Sequence, residues 1–345
     1  MEPSTRPTAT GRTANLISVI IPAFNCAPTI LKTIESVLRA REKNRIEIIV
    51  VDDCSTDNTV EVVKAKFNEL RNEKHRLTVI KSWRNRGAGA CRNKGLKLAT
   101  GQYVLFVDAD DIVEEGAIDE LARVAKATKA EFVTFRYHYV TDPDTRDEPG
   151  MLTKDREVWA SVLPECKNGV IDPYVHSSIS TMTNYPWNKF IRRDFAKAIG
   201  LKYSETPVNN DIAAHWCLYS NARKVALYDR ALIYHYVLKG NDQITNRFDQ
   251  RRLAVFEALS DAEAHVFRST ATISAFYHHF MDFKLNLLKW VYKRLPPDHR
   301  EAFFAYAMDS YKSYGKSEHT FLALESPKLA DQSFWIKYSP ANVFL

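Results

Sequence analysis

Hydrophobic and polar positions alternate along the first 130 residues in a repeating two-part pattern. The run "LISVIIPAF" is continuously apolar over strand length and is ended by Pro22. It is followed by "TILKTIESVLRA", where Ile30, Leu31, Ile34, Val37 and Leu38 recur at helical spacing. The pattern repeats in "IEIIVVDD", a second strand. Ser55, Thr56 and Asp57 then offer N-caps to a helix whose apolar face is Val60, Val63, Phe67 and Leu70. "LTVIKSW" predicts a third strand and "GAGACRNKGLKLA" a third helix entered through glycines, and "GQYVLFVDADD" predicts a fourth strand with "GAIDELARVAKAT" as its helix. Strands that are apolar throughout, alternating with amphipathic helices, predict an α/β fold with a mainly parallel sheet between helices. Ligands of such sheets bind beyond the carboxyl ends of the strands.

That rule gives the acidic residues a location. Asp52 and Asp53 end the second strand, and Asp108, Asp110 and Asp111 end the fourth, so both clusters belong on the ligand-binding edge. Carboxylates held a few ångströms apart raise one another's pKa and weaken the fold unless a cation or hydrogen-bond donors compensate. A divalent ion, Mn2+ or Mg2+, would do so while keeping positions open for a substrate phosphate. A plainer reading also stands for Asp111, as a cap for the following helix.

Composition narrows the partners. A chain of 345 residues with 45% hydrophobic residues can bury more than one average core, and a net charge of +6 without a dense basic stripe argues against nucleic acid. The five cysteines, Cys26, Cys54, Cys91, Cys166 and Cys217, contain no CxxC pair. Their odd number and wide spacing point to a reducing, cytoplasmic compartment without structural zinc. The polar stretch 1–15 predicts a disordered leader and has no signal-peptide core, and no apolar run is long enough to span a bilayer.

Four motifs, "SVIIPAFN", "IIVVDDCSTDNT", "NRGAGACRNKG" and "GQYVLFVDADD", together resemble the nucleotide-binding half of a family 2 glycosyltransferase of GT-A fold, from Leu16 to Leu121. Further on, "YPWNKFIRRDF" and "NNDIAAHWCLYSNARKVALYDRALIYHYV" resemble the second half of bacterial members that build capsule, lipopolysaccharide and other surface glycans, so the resemblance runs to about residue 245. It implies a nucleotide-sugar-binding half over 16–125, an acceptor-binding half over 126–245 and a helical extension over 246–345.

The resemblance also implies roles. Asp53 would accept the ring N–H of a uracil, Phe24 would stack on the base, and Pro22 and Ala23 would wall it; core packing would equally account for Phe24. Gly87 and Gly89 would let phosphate approach the third helix, with Arg92 reaching the diphosphate or ribose, although glycines at a helix entry are ordinary structure. Asp110 would hold the metal, with Asp108 near the ribose or a metal-bound water and Ala109 between them against the donor. Asp211 corresponds to the general base of an inverting transfer, against the alternative of a charge facing a helix N-terminus. The chain departs from the family at Asn210, where a Glu is usual, and Glu205 is the next carboxylate upstream. Trp187 would stack on a sugar ring, with Asn188 and Lys189 on acceptor hydroxyls or phosphate, and His235 would join the metal. Packing alone would also account for Trp187 and His235.

The implied reaction is transfer from a UDP-sugar to a hydroxyl of a glycan or lipid-linked glycan. Two rivals stand beside it. A nucleotidyltransferase would need a glycine-rich basic loop after the first strand, which "IPAFNCAPTI" lacks, and an inactive scaffold would have lost Asp110 or Asp211. In the extension, Phe276, Phe280, Phe283, Leu287, Val291 and Leu295 form one helical face with Lys284, Lys289, Lys293 and Arg294 elsewhere. That helix covers the catalytic domain, meets a partner in a homodimer, or makes peripheral contact with the inner face of the plasma membrane. The aromatic tail after residue 320, with Pro327 and Pro340, predicts irregular packing.

Overall fold

The computed structural model describes residues 16–70, 75–141, 150–237 and 249–345. The expected leader, residues 1–15, lies outside the described residues.

The first half follows the predicted order: β1 (Leu16–Ala23), α1 (Ile30–Arg39), β2 (Arg45–Asp52), α2 (Thr59–Glu69), β3 (His75–Lys81), α3 (Gly87–Leu98), β4 (Tyr103–Phe106), the short β5 (Ile112–Val113) and α4 (Ala117–Thr128). The second half adds β6 (Phe132–Val140), α5 (Thr153–Val162), β7 (Val170–Ile171), β8 (Lys189–Arg192), α6 (Arg193–Ala198), α7 (Ile212–Asn221) and β9 (Val225–Tyr236). The strands form one sheet in the order β3-β2-β1-β4-β8-β6-β9-β5, with β7 on β9. β3, β2, β1 and β4 are parallel, and β8 enters antiparallel between β4 and β6. The sheet is therefore mixed. Burial on both faces explains the unbroken apolar strands: β1 from Ile17 and β2 from Ile46 are buried along their whole remaining length.

Register decides what reaches the functional edge. Because β1, β2 and β4 run parallel, Phe24, Asp53 and Asp108 all follow carboxyl ends on one side. β8 runs the other way, so its first residue, Lys189, and the preceding Trp187 and Asn188 arrive at that same side. β9 is parallel to β6, and β5 pairs with it as Ile112 opposite Tyr234, which sets Asp111 beside His235.

The extension contains α8 (Val255–Val266), α9 (Thr270–Tyr292), α10 (Arg300–Ser310), α11 (Lys316–Glu325), α12 (Pro327–Tyr338) and α13 (Ala341–Phe344). Two expectations are corrected here. Lys284 is not a surface cation: it is buried, and its Nζ donates to Glu263 and to the Ser310 carbonyl, each at 2.5 Å. The tail is helical, because Pro327 occupies the first turn of α12, where a missing N–H is harmless, and Ser326 Oγ accepts from Leu329 N. A cavity of about 440 Å3 lies in this extension, walled by Tyr277, Met281, Tyr311 and Phe321 among others, and contains none of the acidic residues at the sheet edge. Among the described residues no helix is long and apolar enough to cross a membrane.

Candidate active site

The loops after β1 and β2 are clasped together. Asn25, in a left-handed conformation (φ 48°), accepts from Thr56 N through Oδ1 at 2.8 Å, and its own N donates to Ser55 Oγ at 2.9 Å. This leaves Phe24 45% exposed, so its ring is not part of the core and is available to a planar ligand. Pro22 and Ala23 are buried behind it. Asp53 is also buried, and both carboxylate oxygens are engaged: Oδ1 accepts from Arg86 N at 2.8 Å and Oδ2 from Gly87 N at 2.6 Å. It thereby anchors the first turn of α3, with Gly87 at φ 84°.

The motif "NRGAGACRNKG" serves the protein's own chain. A Cβ on Gly89 would lie 2.0 Å from the Ser204 carbonyl oxygen, so the close approach that glycine permits is made by the 203–210 loop. Asn93, one turn further, donates to the Tyr203 carbonyl at 2.9 Å and accepts from Tyr203 N at 2.8 Å. Arg92 completes this face of the helix. It is buried, with Nη2 donating to Asp108 Oδ1 and Nη1 to Asn210 Oδ1, both at 2.7 Å. Within the chain the Gly87 N–H is taken by Asp53, and the Arg92 guanidinium by Asp108 and Asn210. Burial opposes the Arg92 charge, but Asp108, Tyr203 and Asp211 together hold its pKa above the ordinary value.

The acidic run divides its duties. Ala109 is buried and Asp108 half-buried. Asp111 is fully buried and accepts from His235 Nδ1 at 2.9 Å and from Tyr236 N at 3.2 Å. Burial pushes the Asp111 carboxyl up to about 7, against the pull of His235. Burial also disfavours the charged His235, but the adjacent Asp111 outweighs it and raises the imidazole pKa. The helix-cap reading of Asp111 fails, since its side chain serves β9 instead. Asp110 lies near enough to act electrostatically on both members of the pair.

Asp211 stands at the N-terminus of α7 and makes no side-chain capping bond there. Asp211 is half-buried; desolvation raises its pKa, and Arg92 and the nearby Asn184 partly offset this. Glu205 pairs with Arg86 at the surface.

Trp187, Asn188 and Lys189 do reach the functional edge, but behind its wall. Trp187 is 0% exposed, stacked on Tyr185 at 4.4 Å between ring centroids and edge-on to Tyr137 at 5.0 Å, so no face is open to a sugar. Lys189 is buried, donates to the Tyr185 carbonyl and Asn188 Oδ1, and is pushed down to about 7 by burial. The three residues, expected at the acceptor, are thus enclosed in this structure and pack behind His235, whose ring lies 4.8 Å from Trp187.

Among the described residues no three His, Cys, Asp or Glu side chains form a cage for an ion. The donor set nevertheless suits a hard divalent cation that takes most of its oxygens from a diphosphate. The hydrogen bond between Nδ1 and Asp111 fixes the His235 ring and leaves Nε2 as the nitrogen that would face a metal, if one bound there.

Two residues were missed in the sequence. Asn93 was legible in principle, since Gly89, Arg92 and Asn93 fall at i, i+3 and i+4 on one helical face. Asn184 carried no signal, lying in a segment without periodicity.

Residues 18–200 match the model of Glycosyl transferase family 2. The glycosyltransferase GlyG of Streptococcus pneumoniae serotype 4 is 34% identical over 131 residues, 38% of this chain and 42% of that protein. The Escherichia coli UDP-Glc:alpha-D-GlcNAc-diphosphoundecaprenol beta-1,3-glucosyltransferase WfaP is 37% identical over 127 residues, 37% of this chain and 48% of that protein. The aligned stretch thus spans less than half of either relative. In fold, the chain is similar to Staphylococcus aureus TarS 1-349 in complex with UDP-GlcNAc, with a TM-score of 0.72 at 19% identity over 95% of this chain and 89% of that one. A more distant likeness, TM-score 0.51 at 17% identity over 94% and 89% of the two chains, is to the mannosyltransferase PcManGT of Pyrobaculum calidifontis in complex with GDP-Man and Mn2+. With its family model matched over more than half its length and its sheet that of the GT-A fold, the chain belongs to glycosyl transferase family 2.

Proposed function

We propose that the protein transfers a sugar from a nucleoside diphosphate donor, UDP-linked, to a hydroxyl of a glycan or lipid-linked glycan with inversion, in the assembly of a bacterial surface polysaccharide. The observation that carries this reading is the meeting of the two halves on one guanidinium. Arg92 binds Asp108 from the donor side and Asn210, the neighbour of Asp211, from the acceptor side. The relatives' names support the class: WfaP uses UDP-Glc and a diphosphoundecaprenol-linked acceptor, and the TarS complex holds UDP-GlcNAc.

In this reading Phe24 stacks on the base and Asp53 accepts its ring N–H with a carboxylate already oriented by Arg86 N and Gly87 N. Asp108 lies on the ribose side, and Ala109 lines the donor. Asp110 and His235 would hold Mn2+ or Mg2+ together with diphosphate oxygens, and that ion supplies positive charge to the departing nucleoside diphosphate. Asp211 accepts the proton of the acceptor hydroxyl. Its partial desolvation favours this role, because a carboxylate with a raised pKa is a stronger base. The acceptor meets the site above the Trp187 wall rather than on it. A lipid-linked acceptor would bring the chain to a membrane surface by peripheral contact.

The test is a screen of UDP- and GDP-sugars with Mn2+ for release of nucleoside diphosphate, which hydrolysis of the right donor gives without a known acceptor. Release from one UDP-sugar supports the reading. Release from none, by a protein that keeps its fold, overturns it.

A further inference from the structure

The departure at position 210 and the use of Arg92 bear on each other. Gly89, Arg92 and Asn93 form a single face of α3 against the 203–210 loop, and each makes a different contact. Gly89 lets the loop backbone approach, and Asn93 fixes Tyr203 through both its N–H and carbonyl. Asn210 Cβ would stand 3.0 Å from a Cβ at Gly89, so the glycine is also what brings Asn210 within reach of Arg92. The loop closes on itself, Ser204 N donating to the Asn210 carbonyl at 3.0 Å. The guanidinium, 5.5 Å from the Tyr203 ring centre, therefore occupies a defined position with one edge on Asp108 and the other on a neutral amide.

We infer that Arg92 and Asn210 form a positioning brace that holds Asp211 in register with the donor side, and that the neutrality of residue 210 is part of the device. The inference rests on the transferase reading above. With an amide at 210, Arg92 meets one paired carboxylate, Asp108, and its remaining field falls on Asp211. Where the amide already accepts a charge-assisted hydrogen bond from Arg92, a carboxylate at 210 would turn this into an ion pair between two full charges. It would compete with Asp108 for the guanidinium and set a like charge beside Asp211. On this account Asn210 does not mark a lost carboxylate, and restoring one slows the enzyme.

The experiment uses the full chain, Mn2+ and the UDP-sugar that wild type hydrolyses. Turnover, donor KM, UDP affinity and Tm are measured for Asn210→Asp, Asn210→Ala, Arg92→Lys and the Arg92→Lys/Asn210→Ala double variant. Asn210→Asp is equal in size and adds only charge; Asn210→Ala guards against Arg92→Lys failing to fold. The expected result is a fall in kcat of about tenfold for both Asn210 variants, with donor KM and UDP affinity within about threefold of wild type and the double variant no worse than its slower parent, as for residues acting as one unit. Wild-type kcat in Asn210→Asp, losses that multiply in the double variant, or an effect confined to UDP affinity would overturn the brace and leave the transferase reading standing. No nucleotide-sugar turnover by wild type overturns both.

Discussion

Replacing Asp211 by Asn separates catalysis from stability at one position, and the structure assigns the two effects opposite signs. The side chain makes no capping bond to α7, so at the helix N-terminus the substitution removes only the interaction of a charge with the helix end, about 0.3 to 1 kcal/mol, and it also removes the attraction of Arg92 for that charge. Against that stands the partial desolvation of a half-buried carboxylate. The folded-state pKa of Asp211 is raised, so the fold binds its proton more tightly than the unfolded chain does. Its favourable contribution is fully present below the unfolded carboxylate pKa and is lost as pH rises through the raised value. At neutral pH the ionised side chain is a liability to the fold, and a neutral amide of equal size removes it. Asp211→Asn should therefore keep or slightly raise Tm at pH 7. Turnover should fall about 100- to 10,000-fold, the range for a general base, or roughly 3 to 5 kcal/mol of barrier. In wild type, the acid limb of kcat against pH should lie above the ordinary carboxylate range and vanish in the variant. Nucleoside diphosphate release with a competent acceptor, paired with a thermal melt, reads both effects. Turnover within about threefold of wild type would refute the base assignment and move attention to Glu205.

Three further outcomes follow from particular contacts. Asp53→Ala should weaken UDP binding by about 1 to 3 kcal/mol, and also lower Tm by freeing the Arg86 and Gly87 N–H groups; equal binding of UDP and GDP by wild type in calorimetry would contradict the uridine assignment. Asp110→Asn should abolish donor turnover and remove the dependence of UDP affinity on Mn2+ or Mg2+, and full wild-type activity in EDTA would reject the metal. Gly89→Ala, whose methyl would meet the Ser204 carbonyl at 2.0 Å, should destabilise by about 1 to 3 kcal/mol in a denaturant titration; an unchanged midpoint would show that the loop does not bear on α3 as described.

The strands and helices of the first half were legible because both carry their own periodicity, and the parallel register then brings Phe24, Asp53 and Asp108 to one edge. Side-chain partners were not legible in the same way. Trp187 is an aromatic in a stretch that resembles the second half of the family, and its residue type reads the same whether the ring is exposed to a sugar or enclosed in the core. Only the antiparallel entry of β8 beside β4, with Tyr137 and Tyr185 around it, decides that it is enclosed. Lys284 shows the same limit. Its place on the helix wheel marks it as basic surface, and Glu263 from α8 with the Ser310 carbonyl from the end of α10 makes burial tolerable.

The run "DADD" shows why such partners decide the chemistry. Three carboxylates in four positions look like one anionic cluster, and repulsion among them argues for a single metal to absorb the charge. The fold distributes the problem instead. Asp108 is paired with a cation 16 residues upstream, and Asp111 with an imidazole 124 residues downstream. Neither pairing has a local signature, since each depends on sheet order rather than on spacing. Much of the charge is thus compensated within the chain before any ligand arrives. A divalent cation at this edge would on the proposed reading belong to the diphosphate more than to the fold: its removal should abolish donor turnover while leaving Tm nearly unchanged, whereas loss of Arg92 or His235 should lower Tm whether or not metal is added.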